Sequence, residues 1–161
     1  MLASETSTPV KRRFFLLLSL LVGLLVQLLS AAGLTGVAPT AEINRVLKAQ
    51  AQAWNRGDID GYMQGYARAA TTQFVSGDTV TRGWETVRDS YKANYDNREK
   101  IGTLAFADVK VTELAPDSAM AVGRWRLQRK NDQPHGRFTL LLRKLPEGWR
   151  IVHDHTSSAG S

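Results

Sequence analysis

From Thr103 to Thr156 the chain is written almost entirely in strands. Four segments, Thr103 to Leu114, Ala119 to Arg129, Arg137 to Leu145 and Trp149 to Thr156, are rich in β-branched, aromatic and leucine residues. Between them stand only short turn signals: Ala115-Pro116-Asp117, Asn131-Asp132-Gln133-Pro134 and Pro146-Glu147-Gly148. Parallel neighbours need a crossover of a dozen or more residues, so connections this short join antiparallel strands. Hairpin follows hairpin, and a meander of that kind has one apolar face that something must cover.

The cover lies upstream. Between Ala41 and Trp54, Ile43, Val46, Leu47, Gln50 and Trp54 recur at three- and four-residue spacing, which predicts an amphipathic helix. Thr40 is its expected cap, and Asn55-Arg56-Gly57 ends it. Asp58 reads as the N-cap of a short second helix carrying Ile59, Tyr62, Met63 and Tyr66. A small hairpin follows, Gln73 to Ser76 and Thr79 to Thr81 around Gly77-Asp78, and helical spacing resumes from Trp84 to Tyr95. Helices followed by an antiparallel meander give an α+β fold with the helices packed on one face of the sheet.

The first forty residues have another task. Lys11-Arg12-Arg13 precedes an apolar run from Phe14 to Leu29, and Ser30-Ala31-Ala32 supplies small residues for cleavage. Residues 1–32 therefore read as a secretory signal peptide or, counted on through Leu34 and Val37, as an uncleaved membrane anchor. Either way the expected location of the domain is beyond the membrane, periplasmic or extracellular, because a basic flank stays inside. Residues 33–40 read as a short tether and residues 41–158 as the domain. The formal charge of +6 includes +2 in the leader, leaving +4 scattered among acids over residues 33–161. That describes a mildly basic solvated surface and not a nucleic-acid patch. The absence of cysteine excludes disulfides, thiolate zinc sites, cysteine nucleophiles and lipoprotein anchoring.

Taken in order, Trp54-Asn55-Arg56-Gly57-Asp58, Phe74-Val75-Ser76-Gly77-Asp78, Arg82-Gly83-Trp84-Glu85, Gly136 to Leu140 and Gly148 to Ser157 resemble SnoaL-like proteins of the nuclear-transport-factor-2-like superfamily. Within it the chain is similar to the group called domain of unknown function 4440. The closing strand also resembles that of the association domain of calcium/calmodulin-dependent protein kinase. The resemblance implies a cone-shaped half-barrel, cystatin-like, with a pocket at its open end. It also implies homodimers formed through the outer sheet face. It does not imply one activity, since such scaffolds carry enzymes and pure binding modules alike.

Chemistry must therefore come from the pocket. Ketosteroid-isomerase-like members of the superfamily place a carboxylate base on the first strand; the equivalent position here falls on Phe74, with Gln73 beside it, and no acid occurs from Arg68 to Gly77. On the last strand, simple alternation sets His153 and His155 on the side of Trp149 and Ile151, facing the core, with Asp154 turned away. The expected pocket is then Trp54, Tyr62, Tyr66, Phe74, Tyr91, His153 and His155. His153 and His155 are the candidate acid–base groups, and the competing reading makes them plain structural ends of the sheet. An H-x-H pair without a third ligand holds no metal site, and His135 lies in a turn apart from it. No metal, cofactor or nucleotide is expected. Arg124 and Arg126, like Arg137 and Arg143, are expected on the outer face, the alternative being that one enters the pocket to hold a carboxylate. The leading expectation is an exported module that binds a small molecule as a homodimer, without an identified catalytic activity. The alternatives are an isomerase, cyclase or hydrolase using His153 or His155 on a small hydrophobic substrate, and a non-catalytic dimerisation module.

Overall fold

A computed structural model describes residues 38–159. The expected signal peptide or anchor over residues 1–32 and the first part of the tether lie outside the described residues. Helix α1 (Pro39–Asn55) begins earlier than the apolar pattern indicates. Pro39 occupies the first turn, where its missing N–H is no loss, and Ala38 is the N-cap without a side-chain bond, so Thr40 does not cap. Its buried face is Ile43, Leu47, Gln50, Ala53 and Trp54. Each large apolar side chain buried in this way contributes about 1.5–3 kcal/mol. Asp58 caps α2 (Ile59–Met63) as expected, its carboxylate accepting from the Gly61 N–H at 2.7 Å. The hairpin β1 (Gln73–Ser76) and β2 (Thr79–Arg82) leads into α3 (Trp84–Asn94). A further short helix, α4 (Arg98–Ile101), was not legible in the apolar pattern; Asn97 caps it.

The meander is β3 (Thr103–Ala115), β4 (Ser118–Gln128), β5 (His135–Leu145) and β6 (Gly148–Ser158). The sheet order is β2-β1-β6-β5-β4-β3, all pairs antiparallel except β1 with β6. The sheet is curved and unclosed, with the helices against its concave side, the α+β architecture that the sequence predicts. One core runs between them: Ile43, Leu47, Met63, Val87, Leu142, Trp149 and Ile151 are among its buried members.

Two contacts lock helices to sheet. Asn55 bridges α1 to the edge strand β3, its Nδ2 donating to the Leu104 carbonyl at 3.1 Å and its Oδ1 accepting from the Leu104 N–H at 2.7 Å. The segment after α2 joins β6: Ala67 N–H donates to Ile151 O at 2.8 Å, and Ile151 N–H to Gly65 O at 2.9 Å. A Cβ at Gly65 would overlap the buried side chain of Gln50, which would have to shift.

The last strand corrects the sequence reading. Leu142 pairs with Ile151 but Leu141 pairs with His153, so Val152 is an extra residue, a β-bulge. The bulge sits where the edge of β6 passes from the Gly65–Ala67 segment to β1, whose register begins at Gln73 with His153. It shifts the alternation by one position. Trp149 and Ile151 face inward as expected, yet beyond Val152 the inward residue is Asp154, only 4% exposed. His153 and His155 turn to the outer face.

Candidate functional site

Inside the cone is a cavity of about 130 Å³. Trp54 and Gln50 of α1 form one wall, and Tyr62 and Tyr66 come from α2 and the turn after it. Tyr91 of α3, with Tyr95 just beyond it, forms another. The sheet contributes Phe74 and Ser76 from β1, Leu104 and Phe106 from β3, and Trp125 and Leu127 from β4. Phe138, Leu140, Ile151, Asp154, Thr156 and Ser158 complete it. Ser158 is exposed, and Ser76, Tyr95, Phe106 and Trp125 are half-buried, so these residues mark the mouth. A neighbouring hollow between the β1–β2 hairpin and α3 shares Phe74, Ser76, Tyr91 and Tyr95 with it.

The rings are set mainly edge to face. Trp54 meets Tyr62, Tyr91 and Tyr95 at centroid distances of 5.1, 5.9 and 4.6 Å, and Phe74 meets Tyr91 at 5.3 Å. Such pairs hold each other in place and leave π-faces and edges to line the space. Trp54 is fixed further by its indole N–H, which donates to the Ile101 carbonyl at 2.9 Å. Trp125 is fixed likewise by donating to Ser157 O at 3.0 Å.

Asp154 is the polar centre. Tyr66 Oη–H donates to its Oδ2 at 2.6 Å, and Thr156 Oγ1–H donates to its Oδ1 at 2.9 Å. The Tyr62 and Tyr66 hydroxyls lie 3.4 Å apart, extending the chain of hydroxyls along the wall. Burial raises the Asp154 pKa to about 6, against the lowering effect of the Tyr66 and Thr156 hydrogen bonds. Burial and the nearby Asp154 charge push Tyr62 and Tyr66 well above the ordinary phenol range. Tyr91 is also pushed well above that range, by burial first and then by Tyr62 and Asp154. Of the ionisable groups that line the cavity, Asp154 is thus the one whose pKa is moved toward neutrality.

Of the residues expected to form the pocket, Trp54, Tyr62, Tyr66, Phe74 and Tyr91 line the cavity. His153 and His155 do not, because the bulge at Val152 reverses their side. His153 Nδ1 lies 3.2 Å from Gln73 Oε1 on the outer face, and His155 is exposed. The ionisable side chain that β6 turns into the cavity is Asp154 instead. The acid sought at Phe74 sits one strand over, since Phe74 is the register partner of Asp154 in the parallel β1–β6 pair. His135 opens β5, and among the described residues no three His, Asp or Glu side chains converge as metal ligands.

The arginines settle on the outer face. Arg124 and Arg126 are exposed, Arg124 pairing with Asp108 at 3.1 Å, while Trp125 between them turns into the cavity. Arg143 pairs with Asp117 at 2.6 Å, and Arg137 is exposed. None lines the cavity, so the alternative of a guanidinium holding an anionic ligand there loses its donor.

Relatives share this frame. A nuclear-transport-factor-2-like protein of unknown function from Shewanella oneidensis is 42% identical, with 74% of this chain and 98% of that one covered and a TM-score of 0.71. A ketosteroid isomerase-like protein from Erwinia carotovora atroseptica is 19% identical, with 78% and 100% covered and a TM-score of 0.63. A protein with a cystatin-like fold from Nostoc punctiforme is 14% identical, with 76% and 92% covered and a TM-score of 0.64. The last two establish likeness of fold alone. No curated protein matches the chain. Residues 43–160 match the SnoaL-like domain, and the chain belongs to that family.

Proposed function

We propose that the domain binds a small, largely apolar molecule in the cone cavity, with one polar group of the ligand against Asp154. The observation that carries this is a carboxyl only 4% exposed in the wall of a cavity lined mainly by aromatic and aliphatic side chains. A buried carboxyl is costly to keep, and binding sites typically combine an apolar lining with a few placed polar groups. The size matches a fragment, because a dry cavity of about 150 Å³ admits benzene. Binding to the native state raises its apparent stability. Small aromatic and amine fragments should therefore raise the melting temperature and show saturation transfer by NMR. Ser76→Phe, which fills the mouth, should abolish both while the domain stays folded. A protein that none of these fragments stabilises would remove this reading.

Proton transfer on the bound molecule is the second reading, favoured by the Asp154 pKa of about 6, close to the value that general acid–base catalysis uses at neutral pH. In the same assay, any turnover should vanish in Asp154→Asn and survive loss of both His153 and His155. The domain works, in this reading, as a homodimer through its outer sheet face. There Leu141, 36% exposed, lies in register between Met120 and His153, with Val122 and Val75 on the same face.

A further inference from the structure

We infer that the cavity takes a small organic cation, an alkylammonium or quaternary ammonium group, with Asp154 as its counter-ion and the surrounding rings as its cage. This rests on the binding reading above and names the ligand class. The charge census of the wall comes first. Among the described residues lining the cavity there is no lysine, arginine or histidine; their ionisable groups are Asp154 and four tyrosines. Burial holds the tyrosines in their neutral form, so the one formal charge available to a ligand is negative.

The lining is aromatic beyond what a core needs. Nine of its residues are Trp, Tyr or Phe, including every tyrosine in the sequence. Of the aromatic residues beyond the leader, only Trp84 and Trp149 lie elsewhere. Aromatic π-faces carry negative potential and attract cations, and quaternary ammonium ligands are held in cages of such rings. An anion would meet Asp154 and the ring faces together, with nothing to offset either. A neutral ligand leaves the buried carboxylate without a counter-charge, held only by the Tyr66 and Thr156 hydroxyls. A cation meets both features and relieves the burial of the charge.

The surroundings are consistent with one added cation. The groups facing Asp154 are Tyr66 and Tyr62 from the α2 region, Tyr91 from α3 and Thr156 on its own strand. Phe74 of β1 and Leu140 of β5 flank it in register without charge. His155 influences it from the outer side of the same strand. Near the mouth the Arg129 guanidinium lies 5.9 Å from the centre of the Tyr95 ring, a cation–π contact that this cluster already makes with one side chain. The volume suits a trimethylammonium head, whose size is comparable to that of benzene.

The test uses protein recovered from cells expressing the full chain. Choline is titrated against its neutral carbon isostere, in which a quaternary carbon replaces the nitrogen, at about pH 5 and about pH 8. With Asp154 titrating near 6, roughly a tenth of it is ionised at the lower pH and nearly all at the higher. Choline affinity should therefore rise about tenfold between the two, while the isostere gains nothing. Calorimetry near pH 6 in buffers of different ionisation enthalpy should show proton release on choline binding. Asp154→Asn should lose the preference for choline yet keep the isostere, which reports that the cavity is intact. Isostere binding equal to choline at the higher pH, or choline binding indifferent to pH, overturns the cation assignment and leaves the cavity a binding site. If neither probe nor any amine fragment binds while the uncharged aromatic fragments do, the cation assignment again fails alone. Silence from every probe removes both readings.

Discussion

At the scale of single residues, Asp154 is where stability and function pull apart. Burial raises its pKa from an ordinary 3.8 to about 6. Between those values the folded protein holds a proton that the unfolded chain has released. Its contribution is therefore complete below about pH 4 and is lost as pH rises through about 6. The shift corresponds to about 3 kcal/mol, an order-of-magnitude figure for the cost of ionising the group in place. Asp154→Asn keeps an acceptor for the Tyr66 hydroxyl and removes the charge. It should be stabilising by roughly 2 kcal/mol at pH 8 and near neutral at pH 4, as urea unfolding of both proteins would measure. An equal difference at both pH values would mean that Asp154 is not held in a protonation-sensitive site. The residue was within view in the sequence, in the run His153-Asp154-His155, yet alternation assigned its side chain to the wrong face. The aromatic wall was easier to read: Trp54, Tyr62, Tyr66 and Tyr91 fall at helical spacing, and helical phase carries no bulges of this kind.

At the scale of elements, the strands and most helices were legible because their patterns are local, whereas the bulge was not. It arises where β6 changes partner from the Gly65–Ala67 segment to β1, and those contacts link residues eighty or more positions apart. No periodicity within β6 announces them. Phe106, Trp125 and Phe138 were missed as cavity residues for a related reason: an inward strand position becomes wall or solid core according to how far the sheet curves away from α1. The bridge from Asn55 to Leu104 fixes part of that separation. Asn55 was legible only as a helix-ending residue, but its amide serves both backbone groups of Leu104 on the edge strand β3. Asn55→Ala removes two hydrogen bonds and strands their backbone partners half-buried, which should cost about 2 kcal/mol in equilibrium unfolding. Native-state hydrogen exchange should show Leu104 N–H losing protection ahead of the centre of the sheet. A variant with unchanged exchange at Leu104 would show that strand pairing alone holds this edge.

At the scale of the whole molecule, the two faces of the sheet have opposite character, and that division makes the oligomeric state testable. The concave face is covered by helices and, among the described residues, carries one buried acid, Asp154. The outer face carries Arg124, Arg126, Arg137 and Arg143 around a strip of Val75, Val122, Met120 and Leu141. Two of these arginines are already neutralised locally, by Asp108 and Asp117, which lowers the repulsion between two such faces brought together. A homodimer built here would bury the apolar strip at its centre and leave the arginines at the rim, where charge is tolerated in water. Leu141→Arg places a new positive charge in that centre, opposite its own copy or another arginine. Sedimentation velocity should then change from dimer to monomer at micromolar concentration. Choline binding should persist, because Leu141 and the cavity lie on opposite sides of the sheet. If the native protein already sediments as a monomer, the outer face is no dimer interface and the cavity must act within a single copy. If the substitution abolishes ligand binding together with the dimer, the two faces are coupled through β5, and the cavity depends on the partner for its shape.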